Sequence, residues 1–273
     1  MNVAMVRPLN KFYTTNFLRR LLSGLVGAPI ALAVVYLGSP FFDVLVIFLT
    51  TLMAWEWMRF SVASFLNLWD VLIDAAIVMA LVSTYLGWPH FAFLVLVFVG
   101  GLLYFVLGNK GIRGARHCAI GMVLFGAFAI SCVSLRYFPV VGFEFTLWIL
   151  VTVWLTDVGA YFFGRLIGGW RLASRISPNK TWAGLAGGVL LASSWSGIWL
   201  TSTGYSDLHI ALIVGGVAGC FAQLGDLAMS AVKRNFGVKD SSNLIPGHGG
   251  FIDRLDGFLF TVPLLVVTLF VLE

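Results

Sequence analysis

The sequence predicts an all-α, polytopic integral membrane protein with about nine transmembrane helices. Of its 273 residues, 60% are hydrophobic and only 11% charged, outside the usual composition of soluble domains. The apolar residues come in continuous blocks of about 17 to 25, the length that crosses a hydrocarbon core as a helix. The charges fall almost entirely between those blocks, in alternate connections. Alternating ten-residue segments of the kind a transmembrane β-barrel requires are absent. One membrane domain is expected over residues 1–273, with five spans in 1–144 and four in 145–273.

Arg7, Lys11, Arg19 and Arg20 precede the first apolar run, Leu21 to Leu37. That run is longer than a signal-peptide core and leads through Gly38, Ser39 and Pro40 straight into another, so it reads as a retained first helix. By apolar run length, further spans are expected at about 41–58, 71–87, 91–107, 117–135, 145–164, 183–201, 208–232 and 256–272. With a cytoplasmic N-terminus this count puts 16 of the 17 Lys and Arg residues inside and leaves only Arg136 outside, as the positive-inside rule requires. A span more or fewer would invert half the loops and destroy that asymmetry. The C-terminal Glu273 then lies outside, and the expected location is the inner (cytoplasmic) membrane.

Net charge is +5, and these loops account for it without a basic domain, so no nucleic-acid partner is expected. Cys118, Cys132 and Cys220 are odd in number, scattered and without metal-type spacing, which suits apolar packing and no disulfide. No internal repeat of the kind seen in transporters with duplicated halves is present.

The densest polar stretch runs from Ser230 to Asp256 and is expected to face the cytoplasm. It carries Lys233, Arg234, Lys239, Asp240, His248, Asp253, Arg254 and Asp256, together with Gly249 and Gly250, which allow close backbone approach to a ligand. Asp157 and Asp226 lie inside predicted spans, where an ionised carboxylate costs several kcal/mol unless paired, metal-bound or hydrated. On a helix Asp226 shares a face with Ser230 and Lys233, and Asp157 with Tyr161, Gly164 and Arg165.

Each of these groups has a plain structural reading beside a functional one. The two intramembrane acids could form internal ion pairs. Asp253 and Asp256 could simply meet the dipole of the last helix, and Lys233 and Arg234 could close a helix and snorkel. His248 could be only a polar turn residue. Their convergence suits a hard-oxygen Mg²⁺ site shared with phosphates, flanked by basic groups that offset a polyphosphate. A second stretch, Ser177, Pro178, Asn179, Lys180 and Thr181, precedes a helix and resembles an anion-binding start, although Ser177 could cap and Pro178 could begin that helix without any ligand.

These residues resemble the phosphatidate cytidylyltransferase, or CDP-diacylglycerol synthase, family. Its signature runs S-x-apolar-K-R-x4-K-D-x-small-x2-apolar-P-x-H-G-G-apolar-x-D-R-apolar-D. Here Ser230, Lys233, Arg234, Lys239, Asp240, Ser242, Ile245, Pro246, His248, Gly249, Gly250, Asp253, Arg254 and Asp256 fill it without a gap. Asp157–Gly164 is similar to the family's D-x-x-A-Y-x-x-G, and Ser177–Gly184 to its S-P-x-K-T-x-E-G. Ala183 stands where the family usually has Glu, so no ligand or base role of that glutamate transfers here; Asn179 stands where lysine is frequent.

The resemblance implies that CTP and phosphatidic acid give CDP-diacylglycerol and pyrophosphate at the bilayer surface. It implies a catalytic set of Asp226, Lys233, His248, Asp253 and Asp256. Mg²⁺ is expected on Asp226, Asp253 and Asp256, with Asp157 as a further ligand and a second cation left open. Substrate contacts are expected from Ser177, Asn179, Lys180, Thr181, Ser230, Arg234, Lys239, Asp240, Gly249, Gly250 and Arg254. The resemblance favours a homodimer. Two rivals are a CTP-dependent lipid kinase, which would release CDP, and an ion-coupled transporter carrying cations on Asp157 and Asp226, which would need no nucleotide.

Overall fold

The computed structural model describes residues 26–61, 67–109, 115–245 and 249–272. Nine helices run through these residues. They are α1 (Val26–Leu37), α2 (Phe41–Ser61), α3 (Asn67–Tyr85), α4 (Pro89–Asn109), α5 (Ala115–Arg136), α6 (Gly142–Leu166), α7 (Trp182–Ser202), α8 (Leu208–Asn235) and α9 (Ile252–Leu272). Among the described residues seven of them, α2 and α4 to α9, are long and apolar enough to cross a membrane, and shorter apolar stretches, Val26–Leu37 and Ile73–Tyr85, are described in α1 and α3. The chain is thus an all-α, multi-span membrane protein, and each expected apolar run overlaps one helix.

The bundle closes around α5, which packs against α2, α3, α4, α6 and α9. A second set, α6, α7, α8 and α9, packs in succession. Large side chains such as Phe98, Ile198 and Ile213 stay exposed on the outside, the distribution suited to a surface that meets hydrocarbon. Inside, Trp57, Trp148, Phe125 and Leu96 are fully buried.

Two helix crossings position everything that follows. Along α6 and α7, a Cβ at Gly188 would sit 2.7 Å from the Thr156 carbonyl oxygen, and one at Gly184 would sit 2.7 Å from that of Ala160. Only hydrogen atoms fit there, so the two backbones come into contact, the small-residue packing that membrane helices use in place of a hydrophobic driving force. Where α8 meets α9, a Cβ at Gly225 would run into the Asp256 carbonyl oxygen. The absence of a side chain at Gly225 therefore sets Asp226 beside the turn of α9 that carries Asp256.

The structure differs from the sequence reading in three places. Ser177 does not cap a helix and Pro178 does not begin one. A short antiparallel hairpin forms instead, β1 (Arg171–Ala173) with β2 (Ser177–Thr181), pairing Arg171 with Thr181 and Ala173 with Ser177. The cap of α7 is Thr181, in extended conformation, whose Oγ1 accepts from the Gly184 amide at 3.1 Å. Finally, α9 starts at Ile252, ahead of the apolar run expected from about 256, so Asp253 lies in its first turn as expected while Asp256 falls just beyond that turn.

Placing a branched side chain at the α6–α7 contact tests this packing. Gly188→Val is expected to cost about 1–3 kcal/mol by overpacking, read as a melting temperature several degrees lower for purified protein in detergent; an unchanged melting temperature would show that the crossing is loose.

Candidate active site

At one end of the bundle the C-terminal turns of α8, the start of α9, the hairpin and the adjoining turns of α6 and α7 surround a cavity of about 420 Å³. Helical spacing on α8 sends Asp226, Ser230 and Lys233 into it together. Ser230 Oγ donates to Asp226 Oδ1 at 3.3 Å. The other Asp226 oxygen, Oδ2, meets Lys180 Nζ at 2.5 Å, and that ammonium also lies 3.5 Å from Gln223 Oε1. The hairpin is what delivers Lys180, because β2 ends on the residue that caps α7.

Lys233 makes an ion pair with Asp253 Oδ1, both side chains being 7% exposed. Asp253 Oδ2 accepts from the backbone amides of Ser241 and Gly250, each at 2.9 Å, and from Ser241 Oγ at 3.1 Å. One carboxylate thereby ties the end of α8 to the start of α9 and to the loop between them. Arg234 is anchored from the rim, with Nε donating to the Ile176 carbonyl at 3.2 Å and Nη1 to that of Val238 at 2.9 Å.

The cavity wall carries Lys180, Lys233, Arg234, Lys239 and Arg254 against Asp157, Asp226, Asp240, Asp253 and Asp256. Such a surface can receive a polyanion on its basic groups and a cation on its acids. Asp157, Asp226 and Asp256 are near enough to repel one another, and burial sharpens that repulsion.

Among the described residues, no group of three His, Cys, Asp or Glu side chains stands ready to hold a metal ion. The donor chemistry still fits Mg²⁺, which takes one or two carboxylates and completes its shell with water and substrate phosphates. Asp157, Asp226 and Asp256 supply such oxygens to a single cavity. Asp253, expected among the ligands, has both oxygens engaged by Lys233 and the loop.

The structure gathers Asp157, Asn179, Lys180, Thr181, Asp226, Ser230, Lys233, Arg234, Lys239, Asp240, Asp253, Arg254 and Asp256 along this cavity. Ser177 stands apart at the head of β2. Gly249 and Gly250 lie behind Asp253, and the Gly250 amide, expected on a phosphate, is bonded to that carboxylate. Gly249 adopts φ of 86°, a backbone conformation open to glycine. His248, with Pro246 and Gly247, lies outside the described residues, as do Arg7, Lys11, Arg19, Arg20, Lys110, Arg113 and Glu273.

Two polar residues escaped the sequence reading. Gln223 is buried on α8 and lines the cavity beside Lys180. Glu56, fully buried on α2, receives hydrogen bonds from the loop before α9. The signal for Glu56 was present, since it is an acid inside an apolar run, the same criterion that singles out Asp157.

Comparison with known proteins decides the kinship. A model of the cytidylyltransferase family matches residues 18–272. The chain belongs to the cytidylyltransferase family. It is 34% identical over 261 residues to the phosphatidate cytidylyltransferase of Brucella suis, covering 92% of each chain, and equally similar to that of Brucella abortus. It is 47% identical over 132 residues to the phosphatidate cytidylyltransferase of Staphylococcus epidermidis, a match covering 47% of this chain and about half, 50%, of that relative.

Lys233→Met tests the buried pair directly. Removal of one partner leaves Asp253 as an uncompensated buried charge, at a cost of about 3–5 kcal/mol. The expected outcome is a large fall in melting temperature, mostly recovered in Lys233→Met/Asp253→Asn, where no charge is stranded.

Proposed function

We propose that this chain is a Mg²⁺-dependent phosphatidate cytidylyltransferase, converting CTP and phosphatidic acid into CDP-diacylglycerol and pyrophosphate for phospholipid synthesis. The observation that carries this reading is the cavity itself. Five basic and five acidic side chains converge at one end of an otherwise apolar bundle, in a member of the cytidylyltransferase family whose curated relatives bear that activity in their names.

In this reading all nine helices span the inner membrane, with the N-terminus in the cytoplasm. The α8–α9 loop then also faces the cytoplasm, where CTP is found, as the distribution of Lys and Arg favours. The substrate phosphate of the lipid comes from the same leaflet surface.

A phosphatidate oxygen forms a bond to the α-phosphorus of CTP, and the bond from that phosphorus to the bridging oxygen of the leaving pyrophosphate breaks. Both reactants are anions, so alignment and charge neutralisation dominate the catalysis. Lys180, Lys239 and Arg254 contact phosphates, and Arg234, fixed to two carbonyls, borders their entry. Asp253 holds Lys233 toward the cavity and is assigned that duty in place of metal binding. Asp226 and Asp256, with Asp157 beside them, would hold Mg²⁺, which when bound would offset the triphosphate charge and favour the departing pyrophosphate. With Asp226 so engaged, Lys180 would be released from its pair toward phosphate. A phosphate monoester is already largely ionised near neutral pH, so no strong general base is needed, and His248 is given an orienting or donating role.

Turnover with CTP labelled separately on its α- and γ-phosphates decides the reaction. α-Label is expected in lipid only when Mg²⁺ is present, with Asp256→Asn lowering kcat by about 100-fold or more. γ-Label in lipid would make the protein a kinase, and no label from either position in folded protein would overturn both enzyme readings.

A further inference from the structure

Glu56 sits near the end of α2, fully buried and far in sequence from every residue named in the chemistry above. Its carboxylate nevertheless meets four donors from the segment that builds the site. Oε1 accepts from Ser242 Oγ at 2.6 Å and from the Phe251 amide at 2.9 Å. Oε2 accepts from Ser241 Oγ at 2.8 Å and from the Ile252 amide at 2.9 Å.

Phe251 immediately precedes α9 and Ile252 opens it, so their amides have no carbonyl partner within the helix and lie at its positive end. A side chain from α9's own sequence commonly meets that need; here a residue of the other half of the chain does so. The contact is also closed to substitution from the loop side, because a Cβ at Gly250 would run into Ser241 Oγ and both oxygens of Glu56. Gly250 thus matters as the place where the loop backbone passes over this carboxylate.

Ser241 joins Glu56 to the site. Its hydroxyl lies 2.8 Å from Glu56 Oε2 and 3.1 Å from Asp253 Oδ2, while its amide donates to Asp253. Asp253 in turn holds Lys233. A continuous chain of contacts therefore runs from α2 through the loop to the cavity wall.

We propose that Glu56 is a positioning residue of the transferase site, a second anchor that fixes from α2 where α9 begins and so how Arg254 and Asp256 enter the cavity. The proposal rests on the cytidylyltransferase reading for its activity readout only. Glu56→Gln keeps the shape but replaces one acceptor oxygen with an NH₂ group facing donors. Ser242→Ala removes a single donor and leaves the carboxylate in place.

In full-length protein in detergent, two measurements are made together: kcat and KM for CTP, and hydrogen exchange along the chain. Glu56→Gln is expected to lower kcat by about 100-fold, the scale of a misplacement of roughly 1 Å, with KM changed far less and faster exchange confined to about 241–256. Ser242→Ala is expected to move in the same direction by about 3- to 10-fold, as one lost hydrogen bond allows. Wild-type kcat in Glu56→Gln would overturn the proposal, and so would exchange accelerated across all helices, which would make Glu56 a general stabiliser. If the wild-type chain transfers no cytidylyl group, the activity reading fails by itself; unchanged exchange at 241–256 in Glu56→Gln would then overturn the anchor independently.

Discussion

A carboxylate or an ammonium cannot remain charged inside a helical bundle of this kind unless its charge is met, and the Lys233–Asp253 pair is where this chain meets that demand most completely. The pair joins the last turn of α8 to the first turn of α9 and holds the loop amides between them. It adds a polar tie to the close α8–α9 contact that Gly225 makes with the Asp256 carbonyl. A buried ion pair is a poor source of net stability compared with apolar packing. Its value here lies in geometry, since it fixes which polar groups face the cavity and which are spent on the protein itself.

The same logic orders the rest of the site. Glycines at the α6–α7 and α8–α9 crossings let backbones touch, and the polar residues next to those glycines are thereby brought together. Asp226 follows Gly225, and Asp256 supplies the carbonyl that Gly225 faces. Lys180 reaches Asp226 because β2 ends at the cap of α7. Small residues thus set distances in the bundle, and charged residues occupy the positions those distances create.

Most of the helical frame was legible because span length is a one-dimensional property. An apolar run such as 208–232 has few other ways to satisfy its backbone than as a helix, and the observed α8 covers it. The cavity residues were legible for a related reason: polar groups in an apolar chain stand out, and Asp226, Ser230 and Lys233 share a face by spacing alone. What local pattern could not show is pairing across the chain. Nothing near Glu56 in sequence points to Ser241, Ser242, Phe251 or Ile252, which lie almost 200 residues away. The hairpin was hidden because its strands, at three and five residues, are too short to carry a periodicity. Asp253 read as a Mg²⁺ ligand or a partner of the last helix's dipole, and its contacts with Lys233, Ser241 and Gly250 come from partners that only the fold brings together.

In the proposed function one cavity at the α8–α9 junction takes nucleotide and divalent cation together. Its most direct measurement is a structure of the full chain with a non-reactive CTP analogue and Mn²⁺ in place of Mg²⁺, with the ion located by anomalous scattering. Mn²⁺ is expected on Asp226 or Asp256, with the triphosphate against Lys180 and Arg254 and the Lys180–Asp226 pair opened. Nucleotide bound outside this cavity, or Mn²⁺ bound away from those carboxylates, would contradict it.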